Sequence, residues 1–385
     1  MKHLKKSAKK SYISLVAKIL FILEAIVLPA GLIYMAITQL FPIKYILLFL
    51  FLSICLIVFH ISMFLMKTKG AATKVISLVL SILVLLVSSV GTVALGTIHS
   101  SFSKIPSEEV ETEAVKINVA KKPFLIYLSG VDTRGGGEIK DKALSDVNMV
   151  IAVNPKSGKL LMVNIPRDFY VPLEGDPAKM DKLTHAGTKG VSCSMKTLEA
   201  LFDIKFNYYV KVNFESVVEV VDTLGGVTVN SEYNFTSYYS LDYNTTYTFV
   251  KGENDLTGRS ALAFARERKN VPGGDRTRGK HQQAIIKAII NKAISPSNLM
   301  PSKISKLVDC VTKHTSTNIA YSEISDLVKL QLDKMPSWDI QTISVDGKGS
   351  TQPTYVTGGL KASVIIPNME TVEAAKIQIK SCLEG

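Results

Sequence analysis

SDVNMVIAVNPKSGKLLMVNIPRD, residues 145–168, decides the fold. Two apolar runs flank a Lys156-Ser157-Gly158 turn, and runs of this length around a short Gly-containing turn read as a hairpin. Upstream, PFLIYLSGVD (123–132) is a buried strand that ends in a Gly-rich loop, Thr133–Gly137. Downstream, Ser194–Phe202 is helical, NYYVKVNF (207–214) is a strand, and FESVVEVVDTLGG (214–226) is a helix stopped by Gly225-Gly226. VTVNS (227–231) is a further strand. Residues 231–255, rich in Tyr, Asn and Thr, read as an irregular excursion in which the N-x-T residues Asn234 and Asn244 are polar loop positions. Leu256–Ala265, capped near Thr257, Arg276–Ile294, and segments near 301–313 and 321–334 are helical. IQTISVDG (340–347) is a late strand and Met369–Leu383 a last helix. Hairpins and crossovers around one sheet predict an α/β domain of three layers, α/β/α, with a mixed central sheet.

The chain before this domain has a different texture. Apolar runs cover about Tyr12–Ile37, Tyr45–Met66 and Val75–Leu95, each near the roughly 20 residues that span a bilayer core as a helix. Glu24 lies in the first run, where a charge is costly and faces another helix. No persuasive cleavage site follows, so a removed signal peptide does not fit. Lys2, Lys5, Lys6, Lys9 and Lys10 precede the first run, and Lys67, Lys69 and Lys74 separate the second from the third, whereas the first loop has only Lys44. The positive-inside rule then puts the N-terminus in the cytoplasm and everything after three crossings outside. The expected organisation is a membrane anchor of three transmembrane helices over 1–97, a linker over 98–121 and an extracytoplasmic domain over 122–385, with its core motifs in 124–294 and a helical and strand part in 295–385.

Charge supports this division. Of the net +12, +9 belongs to residues 1–97, which hold ten Lys, no Arg and the single acid Glu24. A nucleic-acid-binding reading loses its basis once the excess sits in an anchor. Only seven of the 45 basic residues are Arg, and five of them (Arg259, Arg266, Arg268, Arg276 and Arg278) fall within 20 residues of chain. Arg offers a planar, permanently charged fork for phosphate or carboxylate, so the segregation points to an oxyanion site.

Charged residues also follow the carboxyl ends of strands, where open α/β sheets place their ligands. Asp132 and Asp146 could together hold a hard divalent cation, or serve only as turn residues. Arg167-Asp168 after the third apolar run is either a ligand pair or a structural ion pair. Arg266 and Arg268 have the i, i+2 spacing of one side of an extended segment. The Pro272-Gly273-Gly274 loop ends at Asp275, a natural N-cap, and Arg278 and Gln282 share a face of the helix that follows. A helix N-terminus with Arg side chains is a pyrophosphate cradle. No Ser-His-Asp or zinc arrangement is evident; His185 reads as structural and His281 has no assigned role. Cys55 lies in the second apolar run. Cys310 and Cys382, on late helices, either bridge and leave Cys193 free, or all three remain thiols.

The blocks GVDTR, LSDVNM, VNIPRD, HAGTKG, YYVKVNF, VDTLGGV, LTGRSALAFARER and GGDRTRGKHQQ, in this order from about 124 to 294, resemble the LytR-CpsA-Psr family. The resemblance implies a phosphotransferase that moves a glycopolymer, such as teichoic acid or capsular polysaccharide, from undecaprenyl pyrophosphate to peptidoglycan, with Mg²⁺ as cofactor. It implies catalytic roles for Asp146, Arg167, Arg266, Arg268 and Asp275, and substrate binding by Arg167, Arg266, Arg268, Arg278 and Gln282. Asp132 and Asp146 would be the metal ligands. Asp275 is either a base or a residue that orients an Arg. The resemblance also implies a polyprenyl groove, for which Val210–Val221 and Ile285–Ile290 are candidate walls, unless these faces are ordinary core, the commoner role of such residues. A polyprenyl pyrophosphate hydrolase using the same residues, and a lipid-binding regulator of polymer synthesis or export needing the Arg cluster alone, are the alternatives; a DNA-binding regulator conflicts with the outside topology.

Protease added to intact protoplasts is expected to digest residues 98–385. Full protection of that domain would contradict the topology read from the Lys bias.

Overall fold

The computed structural model describes residues 2–38, 41–65, 71–102, 117–132, 142–238, 245–299, 303–304, 306–307, 310–311 and 314–385. Most of the expected linker, the Gly-rich loop Thr133–Gly137 with Arg134, Asn244 and parts of the 301–313 segment lie outside these residues. Contacts divide the chain into two compact units, 1–100 with 328–334 and 101–327 with 335–385.

All three apolar runs are helical: α1 (Lys2–Thr38), α2 (Ile43–Leu65) and α3 (Ala71–Phe102). Large apolar side chains such as Ile26, Leu52 and Val90 are more than half exposed on them, a surface that suits lipid better than water. Glu24 is buried, as a charge on such a helix must be. Gly31 sits against Thr92 and Gly96 against Tyr34, so α1 and α3 are neighbours. Of the expected spans, Lys18–Ile37, 20 residues, is long and apolar enough to cross a membrane. In α2 and α3 the described apolar stretches are Ile43–Phe59 and Val79–Val90, shorter than the roughly 20 residues a bilayer core takes.

In the second unit, β1 (Phe124–Val131), β2 (Ser145–Asn154), β3 (Lys159–Ile165), β4 (Tyr208–Asn213), β7 (Thr315–Thr317) and β8 (Asp339–Ser344) form one sheet in the order β7-β4-β1-β2-β3-β8. The expected hairpin is the antiparallel β2–β3 pair, with Val150 opposite Val163. β1 runs parallel to β4 and antiparallel to β2, and β3 runs parallel to β8, so the sheet is mixed. Side chains alternate across it. Leu125, Tyr127, Val150, Leu161 and Val163 bury against α4 (Val191–Phe202) and α9 (Met369–Glu384), whose Leu198, Phe202, Val372 and Ile379 close that face. Phe124, Ile151, Met162 and Tyr208 bury on the other face, against Ile286 and Ile290 of α7 (Asp275–Ala293) and Leu327 of α8 (Tyr321–Lys334). These are the three expected layers.

A second core joins α5 (Phe214–Thr223) and α6 (Gly258–Arg266) to α7, with Val221, Phe235, Phe249, Phe264 and Ile285 at its centre. β5 (Val227–Ser231) pairs there with β6 (Gly252–Leu256), a strand inside the expected irregular excursion. Another hairpin, β9 (Gly347–Pro353) with β10 (Lys361–Pro367), was not expected. The Gly, Pro and polar residues of β9 give no apolar alternation to read, and the short run Val364–Ile366 of β10, with Val364 buried, is the signal that was passed over. Cys310 and Cys382 are not bridged. The thiol of Cys382 donates to the carbonyl of Ala152 at 3.6 Å, and that of Cys310 to Glu219 Oε2 at 3.6 Å. Burial pushes the pKa of the Cys193 thiol up to about 11, so it is a poor nucleophile at neutral pH.

α6 reaches the site only because Gly258 lets it lie against α5. The backbone N–H of Gly258 donates to Asp222 Oδ1 at 2.7 Å, and a Cβ there would stand 2.2 Å from the carbonyl oxygen of Val218. Gly258→Ala is therefore expected to destabilise the domain by about 1–3 kcal/mol, the usual cost of overpacking. Urea denaturation measures it, and an unchanged midpoint would contradict the packing described.

Candidate functional site

The site is built where β1, β2 and β3 meet α6 and α7. Val131, the last residue of β1, pairs with Ser145, the first of β2, so Asp132 and Asp146 stand at neighbouring strand ends. The start of β2 is fixed from beneath. Asn148, fully buried, accepts from the hydroxyl of Tyr127 at 2.6 Å and donates to the carbonyl of Ser145 at 3.1 Å. Gly187 presses on the same point: a Cβ on it would lie 2.4 Å from the carbonyl oxygen of Ala143. Just upstream of Gly187, the backbone N–H of Thr184 donates to the carbonyl of Arg167 at 2.8 Å. The HAGTKG segment and the turn before it thus brace the starts of both chains whose side chains meet next.

Arg167 leaves the end of β3 and donates from Nη1 to Asp146 Oδ1 at 2.5 Å, with its Nε 3.7 Å from Asp168 Oδ2. Asp168 also takes Lys182 Nζ at 3.1 Å. Burial works against the charged form of Arg167, but the hydrogen bond and field of Asp146 outweigh it and raise its pKa, with Asp168 and Asp275 adding to the effect. Arg278, on α7, pairs through Nη2 with Asp275 Oδ1 at 2.7 Å. Burial lowers its pKa, and the neighbouring cations Arg167 and Arg268 push the same way against Asp275 and Asp146. Among the described residues the buried Nε atoms of Arg167 and Arg278 have no hydrogen-bond partner, Asp168 Oδ2 standing 3.7 Å from that of Arg167. A buried charged donor without an acceptor is costly, and it calls for an anion.

Arg266 ends α6 with Nη2 3.5 Å from Asp132 Oδ2 and its guanidinium 4.9 Å over the ring of Phe214. It stands in the last helical turn, so the expected extended pair Arg266/Arg268 is corrected: the chain becomes extended only at Glu267. Arg268 is exposed, and among the described residues no carboxylate pairs with it. Asp275 is likewise not the N-cap. Gly274, at φ 54°, caps α7, and Asp275 occupies its first turn, where a carboxylate suits the helix dipole. The cap goes to glycine because this positive φ strains any residue with a Cβ. Gln282 is buried one turn beyond Arg278. Gln283 fastens the helix to the sheet by donating to the carbonyls of Met162 and Ile343 at 3.0 and 2.7 Å.

The structure therefore gathers Asp132, Asp146, Arg167, Arg266, Arg268, Asp275, Arg278 and Gln282 at one end of the sheet. Among the described residues no group of three or more His, Cys, Asp or Glu is disposed to hold a metal. Asp132 and Asp146 are the carboxylates at neighbouring strand ends, each paired with an arginine, Arg266 and Arg167; Mg²⁺ takes one or two carboxylates and fills its shell with water and phosphate oxygens. His185 is structural as expected: its Nδ1 bonds the buried Asp181 at 2.7 Å. His281 bonds the carbonyl of Phe264 at 3.0 Å through Nδ1 and stacks on that ring, and burial lowers its pKa. Asn148, Gly187 and Glu267 were missed. An Asn inside the apolar run Val147–Val153 was the readable signal, since a polar group there must be bonded.

The family model described as LytR_cpsA_psr family matches residues 93–371. The polyisoprenyl-teichoic acid–peptidoglycan teichoic acid transferase TagU of Bacillus subtilis (strain 168) is 38% identical over 232 residues, 60% of this chain and 70% of that protein. TagU of Bacillus cereus (strain AH820) is 34% identical over 283 residues, 71% of this chain and 88% of that one. The crystal structure of B. subtilis TagV superposes with a TM-score of 0.56 at 29% identity, covering 69% of this chain and 98% of that one. TagT bound to LIIa-WTA gives 0.54 at 25% identity, covering 72% and 97%.

A site with two partnerless guanidinium donors predicts stabilisation by a polyanion. Inorganic pyrophosphate at about 100 times its Kd is expected to add about 2.7 kcal/mol to the stability of the folded protein. Arg278→Lys is expected to lose most of that gain, because an ammonium cannot reproduce the planar fork. Thermal unfolding with and without pyrophosphate reads both.

Proposed function

This chain belongs to the LytR_cpsA_psr family, and from that premise we propose that it is a membrane-anchored transferase moving a glycopolymer from undecaprenyl pyrophosphate to peptidoglycan. The observation that carries the reading is the site's electrostatics. Three guanidinium groups pair with carboxylates, Arg167 with Asp146 and Asp168, Arg266 with Asp132 and Arg278 with Asp275; among the described residues Arg268 pairs with none, and the buried Nε atoms of Arg167 and Arg278 have no hydrogen-bond partner. A pyrophosphate diester supplies the missing acceptors and is neutralised by the surplus of positive charge.

The helix α7 supports a lipid carrier. Arg278, Gln282, Ile286 and Ile290 follow at intervals of four, so one face of one helix runs from a phosphate-binding end to an apolar end. Ile286 and Ile290 are only partly buried, as are Ile126, Leu128, Val210 and Val212 on β1 and β4. Partly exposed apolar side chains in line with a cationic cluster suit a polyprenyl tail whose headgroup sits on the Arg side chains. Val210, Val217 and Val220 fall within one of the expected walls, and Ile286–Ile290 within the other.

In the proposed reaction a hydroxyl of the acceptor glycan attacks the phosphorus bonded to the glycopolymer. The bond from that phosphorus to the bridging oxygen breaks, undecaprenyl phosphate leaves with the electron pair, and the hydroxyl's proton passes to the leaving phosphate. Such transfers depend on positioning and charge stabilisation rather than covalent help from the protein. Arg167 and Arg278 hold the pyrophosphate in the partly buried end of the site, and Arg266 and Arg268 meet it from the α6 side. Asp275 orients Arg278 through their ion pair. Asp132 and Asp146 would hold Mg²⁺, which when bound supplies further charge neutralisation at the phosphates. The N-terminus lies inside and the domain lies outside with the lipid-linked donor; the Lys distribution and the apolar span Lys18–Ile37 of α1 support this.

The test is transfer by the full-length protein with lipid-linked polymer, a peptidoglycan oligomer and Mg²⁺. Asp146→Ala and Arg266→Ala are each expected to lower kcat about 10²–10³-fold, the range for removing a group that stabilises developing charge. Undiminished transfer would place the active site elsewhere. Release of undecaprenyl phosphate at the full rate without the oligomer would identify a hydrolase instead.

A further inference from the structure

Arg268 is the one arginine of the cluster that no described carboxylate pairs with, and its backbone N–H is held by its neighbour. Glu267, only 4% exposed, folds its carboxylate over the chain that follows it. Oε1 accepts from the backbone N–H of Arg268 at 2.9 Å, Lys269 at 2.7 Å and Asn270 at 2.9 Å. Oε2 accepts from the backbone N–H of Tyr238 at 2.5 Å. One side chain thereby closes a turn on the residues immediately after α6 and ties it to the excursion between β5 and β6. Two further contacts make the same tie: the amide of Asn270 donates to the carbonyl of Thr236 at 2.8 Å, and Lys269 Nζ stands 3.7 Å over the ring of Tyr238.

We propose that Glu267 is the positioning residue for Arg268, holding the peptide that carries this guanidinium so that it faces the pyrophosphate opposite Arg278. The inference rests on the function proposed above. Arg268 is exposed, and its charge acts on Arg278, so its guanidinium lies on the side of the cluster. Glu267 turns inward to the backbone donors, and Arg268 is turned outward toward the ligand. Without an inward acceptor, three consecutive N–H groups of an exposed turn would bond water, and Arg268 would sample many directions. A carboxylate with four donors is satisfied on both oxygens, which accounts for a buried acid beside a cluster of bases without a salt bridge to any of them.

Glu267→Gln tests this with little change of shape. Its carbonyl oxygen can keep the three-donor fork only by turning the amide NH₂ against the N–H of Tyr238, a donor facing a donor. The measurement is pyrophosphate binding by calorimetry to the full-length protein, with Glu267→Gln, Arg268→Ala and the double variant forming a cycle. Wild type is expected to bind. Glu267→Gln is expected to weaken binding roughly tenfold, the scale of a single charge-assisted hydrogen bond between guanidinium and phosphate. In the Arg268→Ala background the same substitution is expected to change nothing, because its effect passes through Arg268. A general structural role would instead weaken binding equally in both backgrounds and would overturn the proposal, as would a Glu267→Gln protein that binds like wild type. Should Glu267→Gln not fold, Glu267→Asp, which keeps the charge and shortens the reach, is expected to show the same dependence on Arg268. Failure of the wild type to bind pyrophosphate would instead remove the functional reading itself.

Discussion

The structure depends on the cost of bringing guanidinium groups out of water and close to one another. Arg167 and Arg278 are buried enough that desolvation acts on both, and Arg278 lies in the field of Arg167. Such an arrangement persists only with counter-charge close by, and removing one partner of a buried pair is far costlier than the pair is worth. Asp146 meets Arg167, Asp275 meets Arg278, and Asp132 meets Arg266. The carboxylates do not neutralise every donor direction. What they leave without a described acceptor, the two buried Nε atoms and the exposed guanidinium of Arg268, is what the proposed pyrophosphate would meet.

The fold serves that constraint. Three adjacent strand ends deliver Asp132, Asp146 and Arg167 from one side. α6 and α7 deliver Arg266 and Arg278 from the other, joined by a loop that returns through Gly273 and Gly274. Each element is fastened where its charged residue emerges: β2 by Asn148, β3 by the segment bonded to the Arg167 carbonyl, α6 by Gly258 and Asp222, α7 by Gln283. Groups fixed in advance around a charge do not have to reorganise when the charge develops, and that is how such a site lowers a barrier. The same α7 that presents Arg278 carries Ile286 and Ile290 further along one face, so in the proposed function a phosphate head and an apolar tail would meet a single element.

Much of this was legible in the sequence. The Arg segregation marked the site, and the apolar runs around Lys156-Ser157-Gly158 gave the hairpin at the sheet's centre. Residues whose job is to bond the backbone were less visible. Glu267 between Arg266 and Arg268 reads as one more surface charge, because nothing local says that four N–H groups from two distant segments converge on it. Asp275 was misplaced by one residue, since an Asp before a helix is a good N-cap in most settings and the strained φ of Gly274 is a tertiary fact. The β9–β10 hairpin was missed because β9 is built of Gly, Pro and polar residues and the apolar run Val364–Ile366 of β10 is too short to read alone. A Cys310–Cys382 bridge rested on two helices packing together; Cys382 is instead buried against β2, and Cys310 against α5.

The most direct test of the central claim is a crystal structure of the protein with a short polyprenyl pyrophosphate. The account predicts phosphate oxygens within hydrogen-bonding distance of the Arg167 and Arg278 guanidinium groups, including at least one of the two partnerless Nε atoms, with the isoprenoid chain leaving along Ile286 and Ile290. A pyrophosphate bound away from these arginines, or a chain directed away from that face of α7, would contradict it.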